Sequence, residues 1–265
     1  MQAQQIGGSV TARRFERRPY RMSLDQPSRR ALLAGTVVAA GGGAYYLARD
    51  DGSDDDHDRS LTLHASDETT SFGIDLTGKP IVGSPDAALD IYYWTDFQCP
   101  FCEEFERKTL PELVRNHVEP GRVRIVFIPL PYFGSDSMTA TVASRCAWAQ
   151  VCDDDSSAYW NWHAAIFDEQ GEKESGWADA DALLEYTRSV DSVDADDLET
   201  CLEERGDEFE SSIEDDAEQA RSFGISGTPT FAVFDPEAER AGTLVGAQPP
   251  ERFDEAIERI QSTDG

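Results

Sequence analysis

From residue 89 the chain reads Leu89-Asp90-Ile91-Tyr92-Tyr93-Trp94-Thr95, a short run of aromatic and β-branched residues that predicts a strand over 89–95. Directly after it, Phe105, Leu110 and Leu113 recur in a helical pattern and predict a helix over 99–117, bent at Pro111. Residues 122–129 are almost continuously apolar after Arg124 (Ile125-Val126-Phe127-Ile128), the pattern of a strand covered on both faces. Residues 136–222 read as a helical insertion with three stripes: Ala140, Ala143, Cys146 and Gln150; Trp160, His163 and Phe167; and Leu198, Cys201, Leu202, Phe209 and Ile213. A strand through Phe231 and Val233, a second strand, and a last helix with Phe253, Ile257 and Ile260 on one face complete the pattern. Strand–helix–strand spacing of this kind implies a right-handed crossover and parallel pairing, so the fold class is α/β. About 190 residues are ample for a single core.

Upstream the pattern changes. Ala31 to Ala48 is an 18-residue stretch without charge, flanked by Arg29-Arg30 and Arg49. As a helix it would span about 27 Å, close to the thickness of a bilayer core. Ser28-Arg29-Arg30-Ala31-Leu32-Leu33 resembles a twin-arginine export signal, and the alternative is an arginine pair standing before a membrane anchor. In both cases basic residues ahead of the apolar run predict an N-terminus inside and a domain outside the membrane. Gly42-Gly43-Ala44 offers small residues for cleavage, which would give a secreted protein, but Tyr46-Leu47-Ala48 puts a large ring at the wrong place, and retention is expected, with residues 31–48 tethering the domain to the membrane. The expected organisation is residues 1–49 as basic region with export signal or anchor, 50–77 as acidic linker and lead-in, and 78–265 as the folded domain. Within the linker, 50–60 is charged and self-repelling, and 60–76 has no clear assignment.

Charge sharpens this division. The formal net charge is −29, with only three lysines (Lys79, Lys108, Lys173) beside twenty arginines. Residues 1–50 carry eight arginines against three acids, and the remainder carries 15 basic and 49 acidic residues, a balance of −34. An acidic, lysine-poor surface suits hydration in molar salt, where repulsion is screened, so a halophilic protein is expected. The same surface excludes nucleic acid as partner, because phosphate contacts need clustered lysine and arginine.

The candidate chemistry is Cys99-Pro100-Phe101-Cys102, placed where a strand turns into a helix. The first sulfur lies near unsatisfied N–H groups and the positive end of the helix dipole, which favour thiolate. Pro100 loses no hydrogen bond in a first helical turn. Cys102, one turn on, is spaced to close a disulfide. Half of a zinc site is the competing reading, but no second C-x-x-C or matching histidine pair supplies the other ligands, so no metal is expected.

Three stretches now carry a resemblance: Pro80-Ile81-Val82-Gly83-Ser84-Pro85-Asp86-Ala87, Trp94-Thr95-Asp96-Phe97-Gln98-Cys99-Pro100-Phe101-Cys102, and Gly224-Ile225-Ser226-Gly227-Thr228-Pro229-Thr230-Phe231. Together they resemble the DsbA-like branch of the thioredoxin superfamily over about residues 78–262. The resemblance implies a thioredoxin fold with a helical lid inserted between the βαβ half and the ββα half. It also implies a protein thiol–disulfide oxidoreductase without cofactor, with Cys99 and Cys102 catalytic and Pro100 and Phe101 forming the active-site turn. Its partners would be client proteins with thiols or disulfides, and a redox partner that recycles the pair. Thr228 would contact client backbone, and Pro229 would be cis, lying against the disulfide. The residues alone leave a trans turn equally open at Pro229.

The resemblance also bears on the remaining cysteines and on two buried-type residues. Many relatives have cysteines resembling Cys146 and Cys201, which would tie the lid together. Cys152 could replace either partner and is expected to be the unpaired one; three free thiols are the alternative. Relatives often carry a buried glutamate six residues before the first cysteine, where this chain has Tyr93. Asp96 is the nearby candidate for proton transfer, or else a cap for the turn. His163 falls in a helix similar to a family helix in which histidine is common, and is read as structural. Three functions follow: oxidase of exported proteins, reductase or isomerase with the same pair, and a non-catalytic chaperone or metal-delivery module, for which no histidine or methionine cluster speaks.

Overall fold

A computed structural model describes residues 63–190 and 193–262, all within the compact unit Ser53–Gly265. The apolar stretch 31–48, the arginine pair before it and the acidic segment 50–60 lie outside the described residues. Among the described residues no helix is long and apolar enough to cross a membrane.

Six strands form one mixed sheet: β1 (Leu63–His64), β2 (Ile81–Val82), β3 (Leu89–Thr95), β4 (Val123–Pro129), β5 (Thr230–Asp235) and β6 (Arg240–Val245), in the order β1-β2-β4-β3-β5-β6. β3 and β4 pair in parallel, with Leu89 opposite Val123 and Thr95 opposite Pro129. The other pairings are antiparallel. All seven residues of β3 are buried, as a central strand covered on both faces requires. Its side chains alternate between two layers. Ile91 and Tyr93 face a core shared with Phe105, Phe231 and Phe253, while Tyr92 and Trp94 face a smaller one with Ile74, Ile128 and Phe234.

The βαβ half runs β3, α1 (Pro100–Lys108), α2 (Leu110–Leu113), one π-helical turn (Val114–Val118) and β4. The single helix expected over 99–117 is therefore corrected to three short pieces. The interruption falls at Thr109, upstream of Pro111, since a proline ring clashes with the carbonyl four residues earlier and removes its hydrogen-bond partner. The Thr109 N–H still donates to the Phe105 carbonyl at 2.9 Å, and its hydroxyl donates to the Gln248 carbonyl, 2.9 Å away.

The ββα half is β5, β6 and α7 (Pro250–Gln261), whose Phe253, Ile257 and Ile260 are all buried. Burying each such side chain contributes about 1.5–3 kcal/mol. Between the halves stand α3 (Ser135–Val151), α4 (Ser156–Asp168), α5 (Ala180–Arg188) and α6 (Ala195–Ser222). This is a thioredoxin-type α/β fold with helices inserted between its two halves. A disulfide joins Cys146 on α3 to Cys201 on α6. Farther along α6, the carboxylate of Asp216 meets Arg145 (2.5 Å), the residue before Cys146 on α3, and Lys79 (2.8 Å), in the loop before β2; both cations are nearly fully buried.

Residues 60–76 had no clear assignment from sequence. In the structure Leu63 joins β1, while Ile74 and Leu76 are buried in the smaller core.

Candidate active site

β3 ends at Thr95, and Asp96-Phe97-Gln98 turns the chain so that Cys99 becomes the N-cap of α1, with Pro100 at the first helical position. The turn is fixed by Asp96, which is fully buried. Its carboxylate accepts from the N–H groups of Gln98 (2.8 Å), Tyr132 (2.6 Å) and Phe133 (3.2 Å), and from the Ser137 hydroxyl (2.8 Å). Burial pushes the Asp96 carboxyl up, and these donors pull it back. Its side-chain hydrogen bonds thus fasten the turn to the α3 entrance, and only its backbone N–H reaches the Cys102 sulfur.

Cys99 and Cys102 are free thiols on one turn, and the backbone N–H of Cys102 donates to the Cys99 carbonyl at 2.9 Å. The Cys99 thiol donates to the Thr228 carbonyl at 3.3 Å, which brings together residues far apart in sequence. The Thr228–Pro229 bond is cis. Phe101 projects outward beside the pair, 59% exposed. Both cysteines are buried residues.

The two sulfurs differ. The Cys102 thiol donates to the Cys99 sulfur, and despite desolvation this, with the N–H groups of Cys102 and Phe101, pulls the Cys99 pKa down to about 6. Burial, followed by the neighbouring Cys99, pushes Cys102 well above its ordinary value. Charge is therefore favoured on Cys99 and disfavoured on Cys102.

Several side chains that support this turn carry no sequence signal. Gln98 exchanges two hydrogen bonds with Glu174, donating to its carboxylate (2.7 Å) and accepting from its N–H (2.6 Å). The Gln170 amide donates to the carbonyls of Phe97 and Cys99. Glu174 lies more than seventy positions from Gln98, in a loop without periodicity, so nothing local marks it. Cys152 is a free, half-buried thiol at the end of α3.

A thiol pair on the first turn of a helix, facing a cis-proline loop on a mixed sheet, defines a dithiol centre of thioredoxin type. Residues 75–259 match the thioredoxin family model, and the chain belongs to the thioredoxin family. It is 26% identical over 160 residues to "Disulfide bond formation protein D" of Bacillus subtilis, covering 60% of this chain and 69% of that protein. The crystal structure of oxidised BdbD from Bacillus subtilis superposes with a TM-score of 0.60 at 23% identity, covering 74% of this chain and 98% of that one. The thiol–disulfide exchange protein α-DsbA2 of Wolbachia pipientis gives 0.56 at 18% identity, covering 69% and 87%.

Proposed function

We propose that this chain is a protein thiol–disulfide oxidoreductase that oxidises client dithiols outside the cytoplasm through a Cys99–Cys102 disulfide. The observation that carries the reading is the opposite treatment of two sulfurs on one helical turn. A client thiolate attacks the Cys99 sulfur, the Cys99–Cys102 bond breaks, and its electron pair goes to Cys102, which takes a proton. A second client thiolate then attacks the client sulfur of the mixed disulfide and releases Cys99 as thiolate. The client has lost two electrons and gained a disulfide; the enzyme pair has gained both. A low Cys99 pKa makes that sulfur a good leaving group and stabilises the reduced enzyme, so the disulfide is oxidising. Thr228 and Pro229 form the client-facing loop, and Pro229, having no N–H, leaves that edge open to an extended peptide. A separate redox partner reoxidises the pair.

The arginine pair ahead of Ala31–Ala48 supports export, with the domain outside and either tethered or released. The acidic, lysine-poor composition supports work in molar salt. The reduction potential tests the direction of electron flow. After equilibration with glutathione buffers in molar salt, a value near about −120 mV is expected of an oxidant. A value near about −270 mV would make the pair a reductant and overturn the oxidase reading.

A further inference from the structure

Three consecutive residues at the entrance of α1, Phe97, Gln98 and Cys99, are each held by the lid. The ring of Phe97 packs among Trp162, His163 and Phe167 of α4, with its centroid 5.0 Å from that of Phe167. Gln98 is gripped by Glu174, in the loop between α4 and α5, which accepts from its amide and donates a backbone N–H to its amide oxygen. Gln170, in the same loop, directs its side-chain amide at the carbonyls of Phe97 and Cys99, the second 3.3 Å away. No main-chain N–H among the described residues serves the Phe97 carbonyl, so Gln170 is the donor that satisfies it. α4 also reaches α1 itself, where Nε2 of His163 stands 3.1 Å from Oε1 of Glu106.

The loop is anchored on its other side. Glu174 takes φ +54°, a left-handed conformation uncommon outside glycine. Its carboxylate also accepts from the Ser135 hydroxyl (3.3 Å) and the Asp136 N–H (3.2 Å), and so serves the first turn of α3, whose N-cap, Gly134, has no side chain to do this. The Gly176 N–H donates to the Asp136 carboxylate at 2.9 Å, and Lys173 Nζ stands 3.4 Å from the centre of the Phe133 ring. The loop thus stands as a brace between the α3 entrance and the residues that lead into Cys99.

Cys99 depends on such a brace in one redox state more than in the other. In the oxidised enzyme the S–S bond to Cys102 ties its sulfur to α1. In the reduced enzyme that tie is gone, and Cys99, an N-cap without a side-chain cap hydrogen bond, has its place set by the peptide groups of the turn. Those peptide groups are what Gln170 holds. A grip that matters most when the disulfide is open stabilises the reduced form over the oxidised one, and a stabilised reduced form makes the pair a stronger oxidant. We propose that Gln170, supported by Glu174 through Gln98, is a positioning residue for Cys99, and that the lid loop between α4 and α5 thereby sets the oxidising strength of the Cys99–Cys102 pair. The inference rests on the Cys99–Cys102 reading and deepens it. Gln170 hydrogen-bonds to main-chain carbonyls and acts on the sulfur through them. The lowered Cys99 pKa fits this arrangement, because the N–H groups of Phe101 and Cys102 reach the sulfur only while the turn keeps its direction.

The test is equilibration of the full chain with glutathione buffers in molar salt, together with thiolate absorbance of the reduced protein and melting of both redox forms. Wild type is compared with Gln170→Met, which keeps the reach of the side chain and removes its donors, and with Glu174→Ala, which frees Gln98. Gln170→Met is expected to shift the equilibrium constant about tenfold toward the oxidised enzyme and to raise the thiolate midpoint by about one unit, one unit being a factor of ten. Glu174→Ala should move both in the same direction by less. In each variant the reduced form should lose more melting temperature than the oxidised form, an asymmetry that a purely structural role would not produce. Glu174 is an exposed residue, so its variant decides the matter if Gln170→Met does not fold. Variants with the near-ultraviolet dichroism of wild type that keep its equilibrium constant and midpoint, or that lose stability equally in both redox forms, would overturn the positioning role alone. Wild-type protein with no reversible dithiol couple would remove the parent reading, and the positioning role with it.

Discussion

Cys99 and Cys102 share a helical turn and a backbone hydrogen bond, so their chemistry is set by what surrounds each sulfur. Cys99 sits at the helix entrance, where the Cys102 thiol and the N–H groups of Cys102 and Phe101 converge on it. Cys102 is one turn deeper against Tyr93 and Phe105. The Cys99 pKa is lowered from 9.0 to about 6. A group with a depressed folded value stabilises the fold fully above its unfolded pKa, and loses that contribution as pH falls through the folded one. The stability advantage of the reduced protein over its Cys99→Ala variant should therefore grow from about pH 6 to about pH 9 and vanish below. Thiolate absorbance in the reduced protein should show its midpoint near the lower end of that range. A midpoint at the ordinary value, or an advantage independent of pH, would contradict the placement of charge on Cys99. Cys99→Ser should abolish dithiol oxidation, and retained turnover would refute its role.

At the scale of elements, the lid is held to itself covalently and by ions. The Cys146–Cys201 bond closes a loop of 55 residues between α3 and α6. In the chain-entropy model such a closure stabilises by about 4 kcal/mol. Replacing both cysteines by alanine should lower unfolding stability by up to that amount and leave Cys152 as the only thiol outside the active pair. No measurable loss in a denaturant titration would show that the bond does not restrain the unfolded chain. β3, β4 and α7 were legible in the sequence because each is one uninterrupted stripe of apolar residues, and period alone reports that. β1 and β2 are two residues each, too short for any period, and exist because β4 offers an edge for them. The break at Thr109 was misplaced because a proline acts on the carbonyl four residues behind it. In the site, the cysteines and Thr228-Pro229 could be read from their motifs. Gln98–Glu174 and Glu106–His163 could not, since a hydrogen bond between distant segments leaves no mark on either one. Asp96 was legible as a polar residue at a turn, and its three backbone donors show why a carboxylate stands there.

For the molecule as a whole, charge repulsion is concentrated where the lid is longest. α6 runs for 28 residues with twelve acidic side chains and two arginines, Arg205 and Arg221. Glu199 and Glu203, Glu204 and Glu208, and Glu210 and Glu214 are like-charge neighbours four residues apart, and each such pair opposes the helix by a few tenths of a kcal/mol, or about 0.2–0.5. Arg205 offsets one position through Glu208, and Asp216 is neutralised by Lys79 and Arg145. The rest of the helix depends on screening. The Debye length falls from about 10 Å at 0.1 M salt to about 3 Å at 1 M, so repulsion across one helical turn is still strong in dilute buffer and largely gone in molar salt. Thermal stability should therefore climb with potassium chloride well beyond the tenth-molar range. Although Cys201 and Asp216 anchor α6, its unscreened repulsion should make it the first element to lose protection in hydrogen exchange when salt is removed, and earlier still once Cys146–Cys201 is absent. A melting temperature independent of salt, or protection lost uniformly across the sheet and the lid, would show that the acidic surface is tolerated without screening and that the halophilic reading is wrong.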